Sequence, residues 1–120
     1  MIKRNTFRRH QRLSAKADFE RVFAEPNKTT SKSLLALWKL GNSQCGRIAI
    51  IAGKKTVPSA VIRNQIRRII RDSYRQALIS TVNLDLIVII RQPCQTLRKL
   101  DIRKEIDSLW TKLLKQSQSI

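Results

Sequence analysis

Apolar positions recur at two different spacings along this chain, and those spacings predict its elements. Ala15, Phe19, Val22 and Phe23 follow a helical period behind Ser14, a candidate N-cap, and Pro26-Asn27 ends that helix. Ser33–Leu40 (SLLALWKL) and Arg47–Ala52 (RIAIIA) are short and apolar enough for two strands. The GNSQCG between them suits a hairpin loop. A second helix follows Pro58, which is tolerated only at or before a first turn, with Ser59 as its cap. Its apolar stripe is Ile62, Ile66, Ile69, Ile70, Tyr74 and Ala77. Leu84–Arg91 (LDLIVIIR) reads as a largely buried central strand. A closing helix, roughly Leu97–Lys115, carries Ile102, Ile106, Leu109, Trp110 and Leu113 toward the core.

The order is α-β-β-α-β-α, with room for a further short strand around residues 53–57, hence α-β-β-β-α-β-α. Helices and strands mixed in this way predict an α+β sandwich with helices packed on one sheet. Residues 1–12 read as a basic arm, 13–115 as a single domain and 116–120 as a polar tail. There is no internal repeat and no linker long enough to divide the chain. The longest apolar run, Leu86–Ile90, is far shorter than the ~20 residues that span a bilayer. The opening MIKRNTFRRHQR lacks an apolar core and a cleavage site, so it reads as a basic arm rather than a secretory signal.

Charge narrows the function. The 120 residues carry 25 Lys and Arg against 8 Asp and Glu, a formal charge of +17, yet 42% of residues are hydrophobic. A chain this apolar folds, and a fold this cationic calls for a polyanionic partner. That argues against a free-standing metabolic enzyme. The charge is also uneven: residues 1–71 hold +14 and the remainder +3. No acidic residue occurs between Glu25 and Asp72. One region has been cleared of anything that repels phosphate.

The second helix concentrates that charge. Arg63, Arg67, Arg71 and Arg75 recur every fourth residue, with Asn64 and Arg68 one step round the same side. At about 100° per residue they form a guanidinium face opposite the isoleucine stripe. Guanidinium forks bind phosphate oxygens bidentately and reach base edges, so nucleic acid is the favoured partner over a merely solvated face. Gly53-Lys54-Lys55-Thr56 is not a phosphate-binding loop of the ATPase kind, because Ile48 stands where its first glycine belongs. The two lysines instead extend the basic face.

No catalytic centre is legible. Asp101, Glu105 and Asp107 read as a solvated helix face, with Glu105 able to pair with a nearby cation. His10 is the one histidine and lies in the arm, so neither a catalytic triad nor an ordinary zinc site can be assembled. Cys45 and Cys94 are expected to be free buried thiols in a reducing cytoplasm.

These residues have a family resemblance. Lys54-Lys55, Ala60-Val61, Arg63-Asn64-Gln65 and Arg67-Arg68-Ile69-Ile70-Arg71 resemble the signature of the bacterial ribonuclease P protein subunit. Arg12-Leu13, Asp18-Phe19 and Val22-Phe23 agree upstream, and LDLIVIIR and the last helix agree downstream, over roughly residues 12–115. Two departures stand out: Gln65 replaces the second arginine of the family's Arg-Asn-Arg triplet, and Pro58-Ser59 replaces the usual glycine before the helix.

The resemblance implies a small α+β sandwich of the kind also found in a ribosomal small-subunit protein, with an unusual left-handed β-α-β crossover. It implies a cytoplasmic bacterial ribonucleoprotein whose RNA cleaves the 5′ leader from precursor tRNA. The protein then supplies no catalytic residue and no metal ligand, and the Mg²⁺ is held mainly by the RNA. Its partners are the catalytic RNA and precursor tRNA, with no membrane and no nucleotide cofactor. Carried over position by position, Arg63, Asn64, Gln65, Arg67, Arg68 and Arg71 dock on the catalytic RNA. Phe19, Phe23, Leu35, Leu37, Lys54 and Lys55 line a cleft for the single-stranded leader. Arg8, Arg9, Arg12 and Lys16 add basic contacts. Aromatic faces and a basic groove suit single-stranded RNA. From the residues alone, however, Phe19 and Phe23 read first as core, and Leu37 and Trp38 as pointing to opposite faces. A basic binder of other structured RNA is the alternative, and an autonomous nuclease is a remote third.

Overall fold

The computed structural model describes residues 12–41, 46–91 and 99–118. Helix α1 spans Lys16–Ala24, strands β1, β2 and β3 span Asn27–Thr30, Leu34–Leu40 and Arg47–Ile51, and α2 spans Ala60–Gln76. A short 3-10 turn, Leu78–Thr81, leads into β4 at Leu84–Ile90, and α3 closes the chain at Lys99–Gln118. The strands form one sheet in the order β1-β2-β4-β3, antiparallel except for β3 with β4.

That order overturns the hairpin expected across GNSQCG: β2 and β3 do not pair, because β4 lies between them. The physical reason is in β4 itself. Six of its seven residues are fully buried, and such a strand is satisfied only with a neighbour on each edge and a layer on each face. At the end of β2, Gly41 N–H donates to Asn83 O at 3.0 Å, beside the start of β4. A Cβ on Gly46 would lie 2.6 Å from both Tyr74 Oη and Val82 O, so only glycine permits this close approach just before β3.

The further strand also falls elsewhere. Residues 53–57 form a turn, closed by Val57 N–H donating to Gly53 O at 2.9 Å, with Val57 wholly buried as its plug. The third strand is instead β1, Asn27–Thr30, an edge strand with only Thr29 buried. Hydrophobic patterning cannot see such a strand. Likewise Ser14 does not cap α1: Ala15 takes the N-cap position without a side-chain bond. Leu13 is still paired to β3 there, its N–H donating to Ile48 O at 2.9 Å, which keeps the chain extended past Ser14. Cys45, Cys94 and residues 1–11 lie outside the described residues.

The sheet separates two apolar layers. On one face Leu34, Ala36 and Trp38 of β2 and Leu84, Leu86, Val88 and Ile90 of β4 meet α2 and α3. There Ile66, Ile70 and Tyr74 of the expected stripe are fully buried, with Ile62, Ile69 and Ala77 packed beside them. Tyr74 meets Trp110 edge-on, with ring centroids 5.8 Å apart. On the other face Leu37 and Ile87 join Leu13 and Val22 in a smaller cluster. Helix α1 lies mainly over β2 and β4, and the end of β3 on this face stays open at the exposed Ile51.

Acids on α3 also depart from expectation. Glu105 accepts from Ser33 N–H at 2.7 Å and from the Ser31 hydroxyl, clasping the β1–β2 turn. Asp107 accepts from the Ser73 hydroxyl, which in turn accepts from Trp110 Nε1–H at 2.8 Å. Glu105 and Asp107 thus hold elements together, while Asp101 and Asp107 stay exposed on the expected solvated face. Helix α3 continues past Lys115 to Gln118, and Gln116 accepts from the Thr29 hydroxyl.

Candidate RNA-binding surfaces

The start of α2 is built to present its basic side. Ser59 caps it as expected, its hydroxyl accepting from Ile62 N–H at 3.3 Å. Arg63 turns back to donate to Val57 O at 2.9 Å and Pro58 O at 3.0 Å, bracing the turn that carries the exposed Lys54 and Lys55. Asn64, Gln65 and Arg68 are exposed, while Arg67 and Arg71 are half-buried. Arg75 pairs with Asp72 at 3.2 Å.

Arg71 borders a cavity of about 350 Å³ together with Arg12, Leu13, Ser14, Phe19 and the β3 residues Ile48–Ile50. This cavity lies along β3, with Phe19 of α1 and Arg71 of α2 on its wall. Arg12 reaches it because its backbone bridges Ile48 on the outer edge of β3. Burial, then the neighbouring charges of Arg12 and Arg67, pushes the Arg71 guanidinium down from its ordinary range. Arginine remains charged through such shifts, so two cations distant in sequence, Arg12 and Arg71, line one site.

The aromatic rim stands beside it. Phe19 and Phe23 stack with centroids 6.4 Å apart at 21° between planes, and Phe23 is 46% exposed. Phe23 is thus not the core residue that its spacing alone suggests. Beneath Phe19 lie half-buried Leu35 and buried Leu37, on the face opposite Trp38, as the strand alternation predicts. Lys16 is exposed at the start of α1. The structure therefore joins Arg12, Phe19 and Arg71 around one space and places Lys54 and Lys55 on the turn before α2. Arg8 and Arg9 lie outside the described residues.

Sequence reasoning missed the ionic network under α1. Asp85 of β4 is completely buried and takes a bidentate fork from Arg47, Nε to Oδ1 and Nη2 to Oδ2, each at 2.9 Å. Arg21 of α1 also donates to Asp85 and, at 3.0 Å, to Leu40 O. Asp18 of α1 accepts from Arg47 Nη1 at 3.1 Å. The Asp85 hydrogen bond, against the opposing effect of burial, holds the Arg47 guanidinium above its ordinary range, with Asp18 adding to it. The signal was a single carboxylate within LDLIVII, which a buried strand tolerates only when cations meet it.

Comparison with known proteins shows the family and the fold. The Ribonuclease P family model matches residues 7–114. The chain belongs to the ribonuclease P protein family. A ribonuclease P protein component from Saccharophagus degradans is 31% identical over 116 residues, 96% of this chain and 86% of that protein. The crystallised Staphylococcus aureus RNase P protein superposes with a TM-score of 0.77 at 26% identity, covering 86% of this chain and 94% of its own. The Thermotoga maritima RNase P protein shares the fold, with a TM-score of 0.72 at 21% identity over 84% and 96% of the two chains. The α-β-β-β-α-β-α order is therefore the ribonuclease P protein architecture. Among the described residues no helix is long and apolar enough to cross a membrane.

Proposed function

We propose that this chain is the protein subunit of a ribonuclease P ribonucleoprotein that removes the 5′ leader from precursor tRNA. The supporting observation is the cavity shared by Arg12, Phe19 and Arg71, where the guanidinium side of α2 meets the aromatic rim of α1. Arg63, Asn64, Gln65, Arg67, Arg68 and Arg71 contact the catalytic RNA, with the forked cations gripping phosphate. The leader runs along the β3 side of the sheet, its bases stacking on Phe23 and Phe19 and its backbone passing Arg12, Lys54 and Lys55. Lys16 and the Arg8–Arg9 arm contribute further charge, and Leu35 and Leu37 support Phe19 from below.

On this reading the RNA supplies the reaction centre and holds most of the Mg²⁺. The acids beneath the cleft, Asp18 and Asp85, are engaged by Arg21 and Arg47. The protein's contribution is binding: a compact cationic body offsets repulsion between catalytic RNA and substrate, and the cleft adds affinity for the leader. Reconstitution tests this directly. Adding the purified chain to its RNA is expected to restore leader removal at Mg²⁺ concentrations where the RNA alone is inactive. Unchanged cleavage at low Mg²⁺, or equal affinity for tRNA with and without a leader, would refute it.

A further inference from the structure

Helix α1 carries the aromatic rim and docks on the sheet through Val22 and the half-buried Phe19. It has nine residues, no side-chain cap and one fully buried side chain, Val22. A helix of that length has little stability of its own and takes its position from its contacts. Beside that apolar contact stand ionic ones. Arg21 reaches Asp85 and the end of β2, and Asp18 is held by Arg47, so the helix is pinned at two points a turn apart. Arg47 comes from β3, and its fork on Asp85 spans the parallel β3–β4 pair. Phe19 follows Asp18 directly, and Phe23 follows Arg21 by two residues.

We infer that Asp18, Arg21, Arg47 and Asp85 are positioning residues for the leader cleft: their network sets how α1 sits over the sheet and so where Phe19 and Phe23 meet RNA. The inference rests on the leader-cleft reading above. None of the four need touch RNA. Asp85 is wholly buried, and the side chains of Asp18, Arg21 and Arg47 are 21%, 25% and 18% exposed.

Asp18→Asn separates positioning from electrostatics by sign. Removing a negative charge beside a cleft for phosphate would by itself tighten leader binding. Loss of the Arg47 contact, by contrast, frees the helix and weakens binding. The experiment measures affinity of the reconstituted holoenzyme for precursor tRNA with its leader and for leaderless tRNA. Asp18→Asn is expected to lower leader-bearing affinity on the order of fivefold while leaderless affinity and cooperative melting are kept. Its effect should shrink in a Phe23→Ala background, because the network acts through the rim. Arg47→Lys, which keeps the charge but loses the fork, should act in the same direction and provides the readout if Asp18→Asn folds poorly. Unchanged or tighter leader binding, or full additivity with Phe23→Ala, overturns the inference. If the unaltered holoenzyme does not distinguish leader-bearing from leaderless tRNA, the cleft reading itself falls and this inference with it. If it does distinguish them and the variants match it, positioning alone is refuted.

Discussion

Arg47 and Asp85 sit directly opposite one another on the parallel β3–β4 pair, and their side chains close a two-point fork at 2.9 Å on each bond. A carboxylate with no solvent exposure is thereby neutralised within the sheet, with Arg21 completing its shell from above. Such a pair adds modest net stability compared with apolar residues, but breaking it leaves a charge stranded.

Asp85→Asn is expected to cost about 3–5 kcal/mol of folding stability, because two half-buried guanidiniums then face a neutral amide. Urea unfolding followed by circular dichroism measures this. A loss below about 1 kcal/mol would show that water compensates the arginines freely.

Phe23→Ala is expected to lower leader affinity by about 1–3 kcal/mol, the range of one base–aromatic stack, with melting temperature almost unchanged. The exposure of 46% is what separates the two readouts. A fall in melting temperature with leader affinity intact would return Phe23 to the core.

Arg68 is exposed on the basic side of α2. Arg68→Ala should weaken binding to the catalytic RNA and reduce the steepness of its salt dependence by about one phosphate contact. Titrations across several salt concentrations provide the slope, and an unchanged slope would remove Arg68 from the interface.

Ser59→Ala should destabilise the protein by about 1 kcal/mol through loss of the α2 cap. Because the same turn is braced by Arg63, the variant should retain its RNA affinity to within about twofold. A much larger loss in affinity would mean that the capped first turn is itself part of the RNA contact.

Glu105→Ala removes the acceptor for Ser31 and for the buried backbone N–H of Ser33. The expected cost is about 1–3 kcal/mol, with faster amide exchange at Ser33 as the local signature.

The cationic side of α2 was legible in the chain because both of its requirements are local. A helical period of isoleucines sets which side is buried, the arginines at every fourth position flank it half-buried, and Asn64 and Arg68 fall on the exposed side. The same holds for the burial of LDLIVII and for the Ser59 cap, each decided by neighbours within a few residues. Strand β1 was not legible, since NKTT pairs at a sheet edge with one buried side chain and leaves no apolar period. Nor was the strand order: a hairpin between β2 and β3 is locally reasonable, and only the need of β4 for two neighbours displaces it.

The charge of +17 and its concentration before Asp72 were determined by the sequence alone, and with them the demand for a polyanion. The tertiary structure decided where that demand is met. Arg12 and Arg71 are far apart in the chain and come together because residue 12 bridges the edge of β3 while α2 passes nearby. Likewise Asp18, Arg21, Arg47 and Asp85 carry no shared spacing. Their network exists because a buried carboxylate lowers its free energy only by drawing cations from whichever elements the topology brings within reach.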